Sequence, residues 1–347
     1  MSPHPNIRSV MLAGFAVLLA ACGGGGGSDP AAPQGDATGT LSGGITDAAI
    51  DEVSAVNLRV TALELRLSGA AENDWVEIDL TDPVTGDPLA FDLIQYQQGE
   101  VFTLFENEQV PAGRYEHARL LLEAPAQTPG QCNGADPRDG SYVELAAGGE
   151  AGIFVPSGSN NGVRLVTPFD VPVNGTADIV IDFDLRQALH RPTAHTCYFL
   201  RPAYRVVASV DTGDIAGVVD SALLEGGMCS DGDPATGNAV YVYEGFDAVP
   251  GDIDAVDDGE AAPVATSSVS YDPAAGNTGQ GSYRVAFLRP GDYTVAFTCS
   301  ADLERLPEAD AETVDEQEAD DDLMLQLPRN VTVTPGQTVE SDFVPTP

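Results

Sequence analysis

The chain has 347 residues, 54 of them acidic and 15 basic, for a formal net charge of −39. Every basic residue is arginine, and a surface this acidic repels nucleic-acid phosphates and anionic lipid headgroups, which argues against both as partners. It suits divalent cations and high-salt solubility instead. At 43% hydrophobic residues the chain can build real cores, and its length suggests two domains. Its 37 glycines and 25 prolines punctuate many short segments, the habit of all-β proteins.

Residues 1–21 read as a secretory signal. Arg8 and the amino terminus carry positive charge, Val10 to Ala21 is an apolar run, and Ala20-Ala21 supplies the small residues of a cleavage site. About twelve helical residues reach ~18 Å, short of a ~30 Å hydrocarbon core, so a spanning helix is not expected. Leu19-Ala20-Ala21-Cys22 resembles the lipobox of bacterial lipoproteins. That resemblance implies a mature chain beginning at Cys22, with diacylglycerol on its sulfur and an acyl group on its amine. Stable anchoring takes more than one lipid chain, which this modification supplies. Gly23, not aspartate, follows the cysteine, which by resemblance to Gram-negative sorting rules favours the outer membrane. The Gly-rich stretch that follows, residues 22–38, reads as a flexible tether.

From Gly39 onward strand patterns dominate, and residues 39–211 are expected to form a first domain. Val56, Leu58, Val60 and Ala62 alternate with polar residues, then the phase slips to Leu63, Leu65 and Leu67. One slip in a two-residue period predicts a bulge or bend near Ala62. Trp75 to Leu80 predicts a short strand, and Phe91 to Gln98 a helical turn. Val110 to Glu123 predicts a turn feeding a strand. Ile179 to Leu185 is a strand with Ile179, Ile181 and Phe183 on one face and Asp182 and Asp184 on the other. Cys197 to Val210 predicts one long strand closing the domain.

Asp211-Thr-Gly-Asp214 marks a joint, and residues 212–347 make a second, shorter set. Strands are expected at Ile215 to Val219, Ala239 to Tyr243, Ser282 to Leu288, Asp292 to Cys299 and Asn330 to Thr334. Both halves carry the same hairpin signal, Pro111-Ala-Gly-Arg-Tyr115 and Pro290-Gly-Asp-Tyr293. Proline presets one turn dihedral, glycine supplies a positive one, and tyrosine begins the next strand. The expected fold is therefore all-β: two immunoglobulin-like or prealbumin-like sandwiches in tandem after the signal and tether.

Beyond Cys22, four cysteines remain: Cys132, Cys197, Cys229 and Cys299. In an exported chain they imply two disulfides, with three pairings open. The sequential pairing, Cys132–Cys197 and Cys229–Cys299, places one bridge in each half. Without a C-x-x-C spacing, metal ligation is the weaker reading.

The segments GGITDAAIDEVSAVNLRVTALEL, VPAGRYEHARLLLE, FVPSGSNNGVRL, IVIDFDLRQAL and YFLRPAYRVV resemble, in order, motifs of the bacterial lipoprotein family DUF4382, a domain of unknown function. The resemblance covers residues 39–211 and implies a β-rich envelope domain without an assigned activity. The insertion around Cys132 and the His-containing segment before Cys197 depart from it. The second half, through GDIAGVV, GSYRVAFLRPGDYTVAFTC and NVTVTPGQTVESDFV, resembles carboxypeptidase regulatory-like and transthyretin-like sandwiches. Those domains serve as structural or ligand-presenting modules.

Chemistry is sparse. Nothing matches G-x-S-x-G, a P-loop, H-E-x-x-H or a dinucleotide fingerprint. His190 and His195 flank a prolyl segment near Cys197 and read as solvated, as does His117. Ser157 and Ser159 lack an evident base and read as a turn. Asp178, Asp182 and Asp184 could position a cation or water as glycosidase carboxylates do, or form a solvated acidic face. Asp252, Asp254, Asp257 and Asp258, and the acid run from Asp302 to Asp322, offer oxygen ligands that suit Ca²⁺ but lack EF-hand spacing; a solvated loop is the default. No resident cofactor is implied beyond that cation. Trp75 is the single tryptophan, which weakens a polysaccharide-binding platform.

These residues describe a lipid-anchored envelope protein, not an enzyme, serving binding, adhesion or scaffolding toward an envelope protein or polysaccharide. The alternatives are a carboxylate-dependent hydrolase centred on Asp182 and Asp184, and an accessory subunit of an outer-membrane assembly. Neither a ligand nor an oligomeric state follows from the sequence.

Overall fold

Glycine allows a strand to run through the crowded middle of the first half. The strand Thr38–Ala48 pairs in parallel with Thr176–Asp184 on one side and antiparallel with Phe102–Pro111 on the other. A Cβ at Gly43 would collide with the Phe105 ring, and one at Gly44 with Val101, so the neighbouring side chains fold over bare backbone. The computed structural model describes residues 37–345 apart from 49, 51, 157–162, 166–167, 193, 202–203, 226–235, 254–258, 272–278 and 303–324.

Among the described residues nearly every element is a strand, and the strands form four sheets. In the first half a four-stranded sheet runs Tyr204–Ala208, Thr176–Asp184, Thr38–Ala48, Phe102–Pro111. The facing sheet is built around the 15-residue strand Val53–Leu67 and its partner Gly113–Leu122. The expected phase slip is a bulge between Val60 and Ala62 in the register of these two strands. It turns Leu63 and Leu65 back onto the core, where both are fully buried. Ile179, Ile181 and Phe183 from the first sheet meet Leu58, Leu63, Leu65 and Leu120 from the second in one hydrophobic cluster. Trp75 to Leu80 contains the strand Val76–Asp79, and the turn after Phe91 is a 3-10 turn at Leu93–Gln95 capped by Asp92.

In the second half, Gln280–Leu288, Gly213–Asp220 and Thr338–Glu340 form one sheet. Ala265–Ser268, Ala239–Glu244, Gly291–Thr298 and Gln326–Val333 form the other. Ile215, Tyr283, Val285, Val295, Phe297 and Phe343 fill the space between them. All the expected strands are present; Ala265–Ser268 and Thr338–Glu340 are additional. Among the described residues, every strand pairing stays on its own side of Thr212, and each side has its own core, yet residues 36–347 pack as one compact unit. The joint is a 3-10 turn, Ser209–Asp211, closed by the Thr212 hydroxyl donating to Ser209 O at 3.0 Å.

Two expectations are corrected. The proline–glycine–tyrosine signals are not hairpins. In both halves they carry the chain from one sheet across to the other: Phe102–Pro111 and Gly113–Leu122 lie in different sheets, as do Gln280–Leu288 and Gly291–Thr298. The tyrosine explains why. Tyr115 donates its hydroxyl to Pro111 O at 2.7 Å, and Tyr293 donates to Arg289 O at 2.8 Å, each pinning the corner four residues back. Of the two glycines, Gly113 takes a positive φ and Gly291 does not. Cys197 to Val210 is likewise not one strand. Tyr198–Leu200 pairs with Glu150–Phe154 and Leu189–His190, whereas Tyr204–Ala208 pairs with Thr176–Asp184 in the other sheet.

Candidate functional site

The strand Thr176–Asp184 carries the acids singled out in the sequence, and the fold treats the three differently. Asp178 is exposed near the start of the strand. Asp182 and Asp184 are turned into the junction with the second half. Asp182 forms an ion pair with Arg205 of the adjacent strand, both side chains largely shielded from solvent. Asp184 ends the strand and caps the single helical turn Leu185–Ala188, accepting from Gln187 N at 3.3 Å and from the Gln187 amide at 3.1 Å. It also accepts a hydrogen bond from Thr266 of the second half, whose hydroxyl lies 3.0 Å from each carboxylate oxygen. The adjoining Arg186 is 6% exposed and donates to Ala301 O at 2.8 Å. Gln187 reaches Pro263 O at 3.4 Å. Asp47, buried on the neighbouring strand, accepts from Leu185 N at 3.2 Å and so fixes the start of the helical turn.

Burial pushes both Asp182 and Asp184 above the usual carboxylate range. For Asp182 the nearby Arg205 guanidinium opposes the shift; for Asp184 the Thr266 hydrogen bond and Arg186 oppose it. The cavity beside them, lined by Thr46, Asp47, Asp182, Arg205, Thr266 and Arg284 among others, measures about 20 Å³. That is about the space one water needs. It admits no polymer substrate. The two carboxylates are brought together by the fold, and each is already engaged by a partner that positions structure.

The disulfide Cys132–Cys197 forms, as the sequential pairing expects, with Cα atoms 5.3 Å apart. It sits in a satellite cluster with Phe154 and Ala126, against which Phe199 packs. Thr196 locks it by donating to Cys132 O at 2.6 Å. Cys299 is also disulfide-bonded, within the core of the second half; its expected partner Cys229 lies outside the described residues.

The histidine expectation is only partly right. His117 is exposed, but His190 is 7% exposed, edge-on to Phe199 with Arg201 at 3.3 Å from its Nε2. His195 is half-buried and stacks on the same ring at 5.3 Å. The aromatic cluster under the disulfide draws both imidazoles in from solvent. Trp75 is half-buried, with the guanidinium carbons of Arg66 and Arg119 at 4.8 and 4.3 Å from its ring centre, and Arg119 also pairs with Glu64. Of the four acids proposed for calcium, Asp252 is described and half-buried; Asp254, Asp257 and Asp258 lie outside the described residues, as do Cys22, Ser157, Ser159 and most of the acid run Asp302 to Asp322. Among the described residues no group of three or more His, Cys, Asp or Glu side chains is placed to hold a metal ion. No described helix is long and apolar enough to cross a membrane.

Sequence reasoning missed Asp47, Arg186, Arg205 and Thr266. Their one local signal is an arginine directly after the acidic strand, in Asp182-Phe-Asp-Leu-Arg186; the Thr266 contact spans 82 residues and leaves none.

Residues 38–202 match the family model described as Domain of unknown function (DUF4382). No curated relative matches the chain. Among solved structures, the chain is similar to a leucine-rich repeat protein from Bacteroides thetaiotaomicron at 10% identity and a TM-score of 0.20, covering 90% of this chain and 26% of that one. It is also similar to the minor pilin GBS52 of Streptococcus agalactiae, at 15% identity and 0.16, covering 89% and 98%. A candidate adhesin from Bacteroides ovatus matches at 8% identity and 0.20, covering 93% and 99%. Overlaps this slight carry no argument about what this chain does.

Proposed function

We propose that this chain is a lipid-anchored cell-envelope protein that acts without catalysis, as a binding, adhesion or scaffolding module held off the outer membrane by its Gly-rich tether. The observation that carries the reading is the state of Asp182 and Asp184. The acids best placed for hydrolysis are consumed by Arg205, Thr266 and a helix cap, beside a cavity of about 20 Å³. Catalytic carboxylates need a substrate within hydrogen-bond reach, and this junction leaves room for a water. Two sandwiches with separate cores and a buried disulfide fit an oxidising compartment and a presenting role. The resemblance of the second half to carboxypeptidase regulatory-like sandwiches supports the same role, with an envelope protein or polysaccharide as ligand.

Metabolic labelling with a fatty acid tests the anchor. The parent chain takes up label in the membrane fraction and the Cys22→Ser variant does not. An unlabelled parent found among soluble cell contents overturns the reading. Protease treatment of intact cells then tells which side of the outer membrane the module faces.

A further inference from the structure

We propose that the far edge of the second sandwich pairs with the same edge of a second copy of this chain, joining two molecules head to head with their anchors at opposite ends; the anchors rest on the function proposed above. The tether enters at Thr38, where Ala112 N donates to Ala37 O and Asn174 N to Thr38 O, both at 2.8 Å. Thr38–Ala48 then runs toward the second half, and Thr46 and Asp47 near its other end line the junction cavity. From the second half that cavity is lined by Thr266 and Ser267 of Ala265–Ser268 and by Arg284, Val285 and Ala286 of Gln280–Leu288. Those two strands are edge strands of their sheets. The opposite edges, Gln326–Val333 and Thr338–Glu340, therefore face away from the first half and from the tether.

Gln326–Val333 pairs with Gly291–Thr298 on one side and, among the described residues, with no strand on the other. A free strand edge is a template for another strand, and folds guard such edges with charge, proline or a bulge. This edge is guarded only at its start, where Leu327 takes a φ of 53° and Pro328 has no N–H to donate. From Arg329 to Val333 the strand holds one charge, Arg329, and residues 323–339 contain no acid. The free edge of the first half's four-stranded sheet at Phe102–Pro111 differs, with Glu106 and Glu108 exposed on it. The neutral strand suits antiparallel pairing about a twofold. Whichever residue from Asn330 to Thr332 sits on the axis, no acid faces an acid and Arg329 does not face its own copy. Val331 and Val333, 8% and 2% exposed, carry the core layer across the seam, and the exposed Asn330 and Thr332 lie on the outer face. One sheet then runs through both molecules, with a first half and its tether at each outer end. That is the arrangement of a homotypic contact between facing membranes.

Sedimentation equilibrium of the full chain, carrying Cys22→Ser to keep it free of lipid, tests the pairing whatever becomes of the anchor. High salt is used, to screen the repulsion between two chains of charge −39. A dimer is expected. Adding Thr332→Glu, which places a charge on the open edge, should raise its dissociation constant about tenfold or more, and adding Gln109→Glu on the acidic edge should leave it unchanged. A monomer at every concentration overturns the proposal, as does a dimer that ignores Thr332→Glu or one that both substitutions weaken equally. Should Thr332→Glu fail to fold, hydrogen exchange in the Cys22→Ser chain decides: amides from Arg329 to Val333 that gain protection as concentration rises support the seam, and unchanged exchange there overturns it. Phosphatidylcholine vesicles bearing the acylated parent chain are then expected to aggregate; vesicles that bear it and stay dispersed overturn the bridging of membranes.

Discussion

The two sandwiches solve the same packing problem with different side chains. The first fills its core with aliphatic residues from two long sheets and ties its outlying loops down with the Cys132–Cys197 bridge. The second has a smaller core and leans on tyrosines: Tyr241, Tyr243 and Tyr283 are almost wholly buried, and Tyr293 nearly so. Their hydroxyls act as pins. Tyr243 donates to Gly251 O at 2.7 Å, Tyr283 to Ser341 O at 2.5 Å and Tyr293 to Arg289 O at 2.8 Å. A phenol brings a large apolar ring and one donor, so a small sandwich can fill its core and fasten a loop or its terminal strand with one residue. The larger half needs less of this and uses a covalent tie where its loop leaves the main core.

The sharpest way to break that comparison is to remove the covalent tie. Closing a loop of 65 residues contributes about 4 kcal/mol in the chain-entropy model. Cys132→Ser together with Cys197→Ser is expected to lower the urea midpoint of the first half by a corresponding amount and leave the second half unchanged. A uniform loss across both halves would show that they do not unfold separately.

Alkaline titration comes next. Burial pushes Tyr115 up to about 12, and raises Tyr243, Tyr283 and Tyr293 as well. A phenol with a raised folded value stabilises the fold below its unfolded pKa of about 10 and withdraws that stability as pH climbs through the folded value. Stability should fall above about pH 10, the tyrosine-rich second half giving way first. Ultraviolet titration of tyrosinate alongside circular dichroism checks the order; earlier loss of the first half would refute the contrast.

Smaller effects refine it. Tyr115→Phe and Tyr293→Phe each remove a corner pin and are expected to cost about 1 kcal/mol, measured by denaturant unfolding. A much larger loss at Tyr115 would mean that the first half depends on its corner as heavily as on its bridge. Smallest of all, Arg114→Ala breaks an exposed pair with Asp170 and should leave the thermal midpoint unmoved.

Local pattern carried much of this architecture. The alternation of Ile179, Ile181 and Phe183 marked a core face, and the slip after Val60 marked a bulge, because both depend on side-chain order along one strand. Sheet membership was hidden. The Pro-Gly-Tyr turns read as hairpins, since nothing local distinguishes a turn between paired strands from a corner between sheets. The burial of His190 was hidden too, because its cover is Phe199, brought in by the strand after the disulfide. The junction was least legible. Asp184 read as a solvated acid or a catalytic one, and its partner Thr266 stands on a short strand without a strong pattern, in the other sandwich.

Asp182 offers the most direct test of whether these carboxylates hold structure or perform chemistry. Asp182→Asn, with its melting curve and its turnover of envelope and extracellular polymers measured on the same preparation, separates the two roles. The structural reading predicts a lower melting midpoint, because Arg205 loses its partner, and no change in turnover beyond background. Abolished turnover with an unchanged melting midpoint would contradict it and make this junction an active site.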